Sequence, residues 1–417
     1  MLNPYFLMVI LYLSMAVLLA LDNALGLFSI VPAFQGIRWL RIHFITLGTL
    51  TEAAFWLLPA LVAARQQKAP PATRWDIWLT LNGGIITLLI GIPLMNSALI
   101  ITGGTLVFIA VMLLIGQLAK MGDKALPLKP TAGLPFYVAG LSYLLLGIIV
   151  GTGLWQGWGQ ALRIKVPIEV HIHANSWGFM SLVFAGLLVD AYRGFSGRDF
   201  AWPRSIPAVF WLMTFGALGL VLGPWTGSNW FSVPGLLLHT TATVLLLLNV
   251  IKPLVGERWS VGMWHLVSSY FWFFAPVLVA PLIIARVPGF PGAGIEQNAP
   301  QALVYGWILQ FSYAILPTYF ARIFLRETSP SLGGSWFSLI VTHIAGFVFW
   351  ASIFLLDYQA ILQGVAYTLW FLAMLPVVYQ LWQIFREGMA THPAVNEMAV
   401  PVSATRERMA EEARTGD

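Results

Sequence analysis

The sequence predicts an all-α integral membrane protein of about twelve transmembrane helices, built as three pseudo-repeats of four. Three observations predict it. First, the 417-residue chain is 59% hydrophobic and only 9% charged, whereas soluble domains carry about 25% charged residues. Second, apolar runs of ~20 residues, each long enough to cross a ~30 Å hydrocarbon layer as a helix, recur along the whole length. Barrel strands would instead show alternating residues and weaker segments. Third, landmark residues recur: His43, His173 and Gln301 stand five positions before Gly48, Gly178 and Gly306.

The spans follow in order. The first, at 5–30, runs almost directly into the second, at 38–64, and so reads as a retained helix rather than a cleaved signal. Arg65, Lys68 and Arg74 close the second span. Spans 3 and 4, at 76–97 and 98–119, end at Lys120, Lys124 and Lys129. The "NGG" of Asn82–Gly84 lies inside span 3 and reads as close helix packing. Spans 5 and 6, at 133–155 and 167–192, are parted by Arg163 and Lys165 and followed by Arg193, Arg198 and Arg204. Spans 7 and 8 fall at 205–223 and 230–252. Spans 9 and 10, at 260–285 and 300–325, are parted by Arg286. Spans 11 and 12, at 334–355 and 359–385, complete one transmembrane domain over 1–386, with repeats at about 1–130, 131–258 and 259–386. A polar tail at 387–417 has a short helix expected near Arg406–Arg414.

Of the 22 Lys and Arg residues, all but Arg38, Arg41, Arg163, Lys165 and Arg286 fall in the loops after even-numbered spans or in the tail. The positive-inside rule then puts both termini in the cytoplasm of a plasma (inner) membrane. The net charge of +5 reports these loops, not nucleic-acid binding. Spans 2, 6 and 10 therefore share one direction, outer face to inner. Their landmark positions are 130 and 128 residues apart, and Pro59 and Pro317 follow sixteen residues after His43 and Gln301. Even spacing with shared orientation points to an internal pseudo-symmetric fold.

The absence of cysteine excludes disulfides, iron–sulfur clusters, thiolate metal sites and thioether-linked haem. No phosphate loop, zinc-type spacing, nucleophile elbow or dinucleotide fingerprint occurs. Histidine is the main remaining ligand, and an ionisable group in lipid is a functional candidate by default. His43, His171, His173, His239, His265 and His343 fall in spans, while His392 falls in the tail. His43 and His173 share a layer roughly 8 Å inside the outer boundary. Two imidazoles at one depth suit bis-axial haem ligation, which needs neutral nitrogens on opposite sides of a flat macrocycle. His171 and His173 point roughly 200° apart on a helix, so either can be the ligand. The bland alternative is a hydrogen bond to Glu169 or to a carbonyl. Gly48 and Gly178 would let a flat ring approach the backbone, or simply serve helix packing. His239, His343 and His265 are candidates for copper, a second haem or a quinone head group, or for ordinary hydrogen bonding to Ser, Thr or carbonyl groups. Asp22 and Glu52 are acids within spans, candidates for a proton path or for neutral, hydrogen-bonded carboxyls.

With "RIHFITLG" and "VHIHANSWG" in these positions, the chain resembles subunit I of the haem–copper oxidase superfamily, which includes cytochrome c oxidases and nitric oxide reductases. The resemblance covers nearly the whole chain in topology. It implies that His43 is an axial ligand of a low-spin haem, expected to be b-type, with copper as an optional second metal. It also implies an oxidoreductase of a respiratory chain, with a quinol or a cytochrome as electron donor and other respiratory subunits as neighbours. The family carries its His-x-His pair on the tenth helix. Here the pair is on the sixth, the tenth offers Gln301 and Tyr305, and no His-His pair or seventh-helix histidine is present. The chain departs there from the family's binuclear centre. It is also similar in character to twelve-helix haem- and copper-containing membrane proteins linked to nitric oxide metabolism. Two readings from other classes stand beside it: a cofactor-free proton-coupled transporter, and a non-catalytic subunit of a respiratory complex.

Overall fold

The structure is a computed structural model, which describes residues 3–32, 36–122, 133–325, 327 and 331–391. Those residues form α1 (Pro4–Leu27), α2 (Ile37–Arg65), α3 (Trp75–Gly91), α4 (Ser97–Met121), α5 (Leu134–Gln156) and α6 (Pro167–Ser196). After these come α7 (Ile206–Thr226), α8 (Asn229–Ile251), α9 (Val261–Ile284), α10 (292–324), α11 (Trp336–Phe354) and α12 (Gln359–Thr391). Among the described residues, ten helices are long and apolar enough to cross a membrane, and no strand occurs. The two outside that group are α3, which is apolar but shorter, and α10. The helix at the expected tenth span begins earlier than the sequence suggested, at Gly292 rather than 300. The last helix runs on to Thr391, past the expected tail boundary at 387. The expected helix near Arg406–Arg414, together with His392, Lys124 and Lys129, lies outside the described residues.

Burial sorts these helices into a centre and a rim. In α2 and in α6, 78% of the most apolar stretch is buried, against 28–50% for the other long apolar helices. Helix α10 is buried along nearly its whole length from Asn298 to Phe324. Rim helices pair as α3 with α4, α7 with α8 and α11 with α12, while α12 also packs on α1 and closes the ring. Small residues let the paired backbones approach. A Cβ on Gly84 would meet Gly103 O at 2.9 Å, and one on Gly219 would meet the Gly235 Cα at 2.7 Å. The "NGG" stretch thus serves close packing, as its composition suggested.

Each central helix widens into a π-helical segment: Phe44–Leu50, Ala174–Met180 and Leu303–Leu309. Their starts are 130 and 129 residues apart. Two threonine hydroxyls follow this wide turn in α2. Thr49 Oγ1 donates to Phe44 O and Thr51 Oγ1 to Thr46 O, both five residues back and both at 3.0 Å. Such bulges are frequent at functional sites. In each of these segments the glycine faces one aromatic ring from a rim helix. A Cβ on Gly48 would come 2.8 Å from Tyr12 of α1, on Gly178 2.4 Å from Tyr143 of α5, and on Gly306 2.5 Å from Trp272 of α9. The flat rings against Gly48 and Gly178 are those of Tyr12 and Tyr143, in keeping with the helix-packing role of these glycines. Below this layer α2, α6 and α10 enclose a cavity of about 30 Å³, lined by apolar residues such as Leu57, Phe179 and Ile315.

The C-terminal ends of α2 and α6 are tied by charge. Asp190, whose side chain is 2% exposed, accepts from Arg65, from the Gly133 amide at 3.0 Å and from the Tyr137 hydroxyl at 2.8 Å.

Candidate functional site

The N-terminal ends of the central helices carry the candidate residues. Helix α2 enters through an Ile37–His43 α-turn and α6 through Pro167–His173, where proline at the first turn costs no hydrogen bond. Both turns stop where the π segments begin, so His43 and His173 are the last residues before each bulge. The His43 ring lies flat on Trp39, with centroids 4.1 Å apart and planes 14° apart. Its Nδ1–H donates to Trp39 O at 2.8 Å.

Across the seam the imidazole facing His43 is that of His171. The two ring centroids are 6.2 Å apart, with planes 25° apart. The His171 Nδ1–H donates to Gly147 O of α5 at 2.9 Å. Asn175 Nδ2 donates to the His171 carbonyl at 2.8 Å and braces the turn. Gly151 makes room for the ring, since a Cβ there would sit 2.7 Å from His171 Cε1. With each Nδ1 engaged, each Nε2 is left without a hydrogen bond among the described residues. Metal-ligating histidines are held in this way, one ring nitrogen donating to a carbonyl while the other faces the metal. Two nitrogens on opposite sides of one metal, each ~2.0 Å from it, put the ring centroids roughly 6 Å apart.

Depth alone pairs His43 with His173, but the geometry pairs it with His171. The two residues of the His-x-His pair face opposite sides of α6, and only His171 looks toward α2. His173 turns to α7, where its Nδ1–H donates to Leu220 O at 2.6 Å. Neither imidazole bonds to Glu169.

The remaining histidines are not brought into one group. His239, fully buried, donates through Nε2 to Trp177 O at 3.0 Å. His265 donates through Nε2 to Ser335 O at 3.0 Å, and its Nδ1 is buried without a partner. His343 accepts from the Trp272 indole at Nδ1, at 3.1 Å, and donates through Nε2 to Ser268 Oγ at 2.9 Å. Among the described residues, no cluster of three or more His, Cys, Asp or Glu is close enough to hold a metal ion.

The two acids are also separate. Asp22 is half-buried near the C-terminal end of α1. Glu52, just below the α2 bulge, is fully buried, and neither carboxyl oxygen has a hydrogen-bond partner in good geometry. Beside it, within electrostatic reach, the Tyr12 hydroxyl donates to Asn82 Oδ1 at 3.1 Å.

One functional candidate escaped the sequence reading. Arg41 was expected among loop charges, yet it lies inside α2 and is 3% exposed. It donates to Gln301 Oε1 of α10 at 2.5 Å and stands 4.2 Å over the Tyr367 ring of α12. The signal was available: Arg38 and Arg41 share one helical face immediately before His43, in a span whose only acid is Glu52.

No protein-family model matches this chain, and no curated protein matches it.

Proposed function

We propose that the chain is a haem-binding membrane protein of haem–copper-oxidase-like architecture. His43 and His171 are the axial ligands in this reading. Twelve spans form three four-helix units. The recurrent bulges at Phe44, Ala174 and Leu303, each with a glycine on a rim-helix aromatic, support that repeat. The lysine and arginine distribution supports cytoplasmic termini in a plasma (inner) membrane. The observation that carries the proposal is the facing imidazole pair, 6.2 Å between centroids with both Nδ1 atoms bonded to carbonyls.

Haem in such a site would supply reversible one-electron exchange. The protein's share is to fix both tautomers through Trp39 O and Gly147 O, and to hold the His43 ring angle through Trp39. Held by His43 and His171, a haem would be suited to electron transfer at this centre rather than to binding a gas. Oxygen or nitric oxide binding or reduction would fall to a second centre, with His239, His265 or His343 as its histidines and copper as a candidate metal. A quinol, a cytochrome or another respiratory subunit would supply the electrons.

The test is the oxidised and reduced visible spectrum of the purified protein with an iron and copper count. Sharp reduced bands that vanish in His43→Ala and in His171→Ala are expected. A colourless, metal-free, folded protein would sink the reading.

Glu52 favours a second reading, proton-coupled transport without a cofactor. A fully buried carboxyl with no good partner, next to the Tyr12–Asn82 pair, has the makings of a proton-binding site. A metal-free protein whose proton flux in vesicles is lost in Glu52→Gln would support it.

A further inference from the structure

The seam that α10 and α12 make with α2 holds a buried positive charge with no negative partner. Arg41 is 3% exposed, and its Nε is buried without a hydrogen bond. Its partners are neutral: the Gln301 amide oxygen and the face of Tyr367. The ion pairs among the described residues use Arg65, Arg74, Arg193 and Arg198, and none of them includes Arg41. Arg38 adds a second guanidinium at the mouth, where it donates to Gln297 O and lies within electrostatic reach of Arg41. A buried, unpaired charge is costly, and removing the partner of a buried pair usually destabilises strongly. The seam keeps two arginines and no acid, an arrangement that suits an anion.

The surrounding groups are those of an oxyanion site. Tyr367 and Arg41 both donate to the one Gln301 oxygen, so a competing acceptor would relieve a crowded atom. The Gln301 and Gln363 amide nitrogens both reach Asn298 Oδ1 only at 3.4 Å, which leaves them weakly engaged. A guanidinium fork matches the two oxygens of a carboxylate-like ion. Tyr367 and Trp370 close the side toward α12, at 1% and 0% exposed. That wall excludes a lipid headgroup with its chains. Arg41 and His43 are two residues apart and so face roughly 200° apart around α2. This seam is therefore distinct from the imidazole pair.

The geometry points to Arg41, with Arg38, Gln301 and Tyr367, as a binding site for a small carboxylate-like monoanion entering from the outer face. The site does not depend on haem being bound elsewhere.

The test uses the full chain in detergent and formate as the probe. The thermal midpoint is followed against sodium formate and against sodium chloride at equal ionic strength. Anions released on denaturing the washed protein are counted by ion chromatography. A saturable, formate-specific rise in midpoint, or about one released carboxylate-like anion per chain, is expected. Arg41→Gln should lose both, and Arg41→Lys, which keeps charge but not the fork, should need several-fold more formate. If Arg41→Gln does not fold, the Arg41→Lys shift decides alone. The absence of both a midpoint shift and a released anion in the unaltered protein would overturn the proposal. So would an equal response to chloride, a co-released anionic lipid in place of the small anion, or an unchanged response in the folded Arg41 variants.

Discussion

In the seam between α2 and α6, His43 of one central helix faces His171 of the next, two positions before His173. In the seam between α10 and α2, Gln301 faces Arg41, two positions before His43. The pattern is the same: the landmark residue of one central helix meets the residue two places ahead of the landmark on its neighbour. The first seam presents two neutral ring nitrogens, which suits a metal cation. The second presents a guanidinium and amides, which suits an anion. By the same register the third seam would pair His173 with Ala299, and there His173 bonds to Leu220 O instead. What differs is the side chain, not the backbone. One scaffold can thus host opposite charges when the residue two places ahead of the landmark changes.

The largest effect should come from separating the two α6 histidines. His171→Ala should remove every haem band from the visible spectrum, while His173→Ala and Arg41→Gln leave the bands in place. Loss in His173→Ala instead would break the assignment of the first seam. Next in size is Gln301→Leu. It strips Arg41 and Tyr367 of their shared acceptor and leaves a charged group unpartnered, at a cost of roughly 3 kcal/mol or more. Asn175→Leu in the neutral seam should cost only about 1–2 kcal/mol, because the groups it frees carry no charge. Thermal unfolding of both in the same detergent checks the contrast, and equal costs would contradict a charged second seam. Gly178→Ala should cost about 1–3 kcal/mol through overpacking against Tyr143, with Gly306→Ala close behind and Gly48→Ala least. The smallest effect is that of Trp39→Leu. Loss of its stack on His43 should weaken the protein by about 1 kcal/mol and shift the haem midpoint potential without removing the haem.

Much of the fold was legible because hydrocarbon imposes length and composition on any span. Ten such helices follow from that alone, and the packing role of Gly84 follows from its small size. The recurrence behind the three π segments was legible from the spacing of His43, His173 and Gln301 before Gly48, Gly178 and Gly306. Which face of α6 turns toward α2 was not. That rotation depends on the bulges at Phe44–Leu50 and Ala174–Met180, and no residue pattern announces a π turn. Arg41 was hidden for another reason. An arginine near a span boundary ordinarily reads as a topology signal, and only the packing of Tyr367 and Gln301 around it shows that it is enclosed. Glu52 was legible as an acid in a span, but its lack of a partner was not.

Each π segment works as a splice between two lengths of ordinary helix. A single residue turns the chain about 100°, so a one-residue insertion re-aims everything on its N-terminal side and leaves the C-terminal side in register. The N-terminal ends of α2, α6 and α10 can therefore change what they present while the apolar lengths after the bulges keep the bundle closed. Trimming one residue, Thr46 for instance, would swing His43 out of its seam and leave Glu52 and Pro59 where they are. The stretches before and after the bulge of each central helix can therefore vary independently.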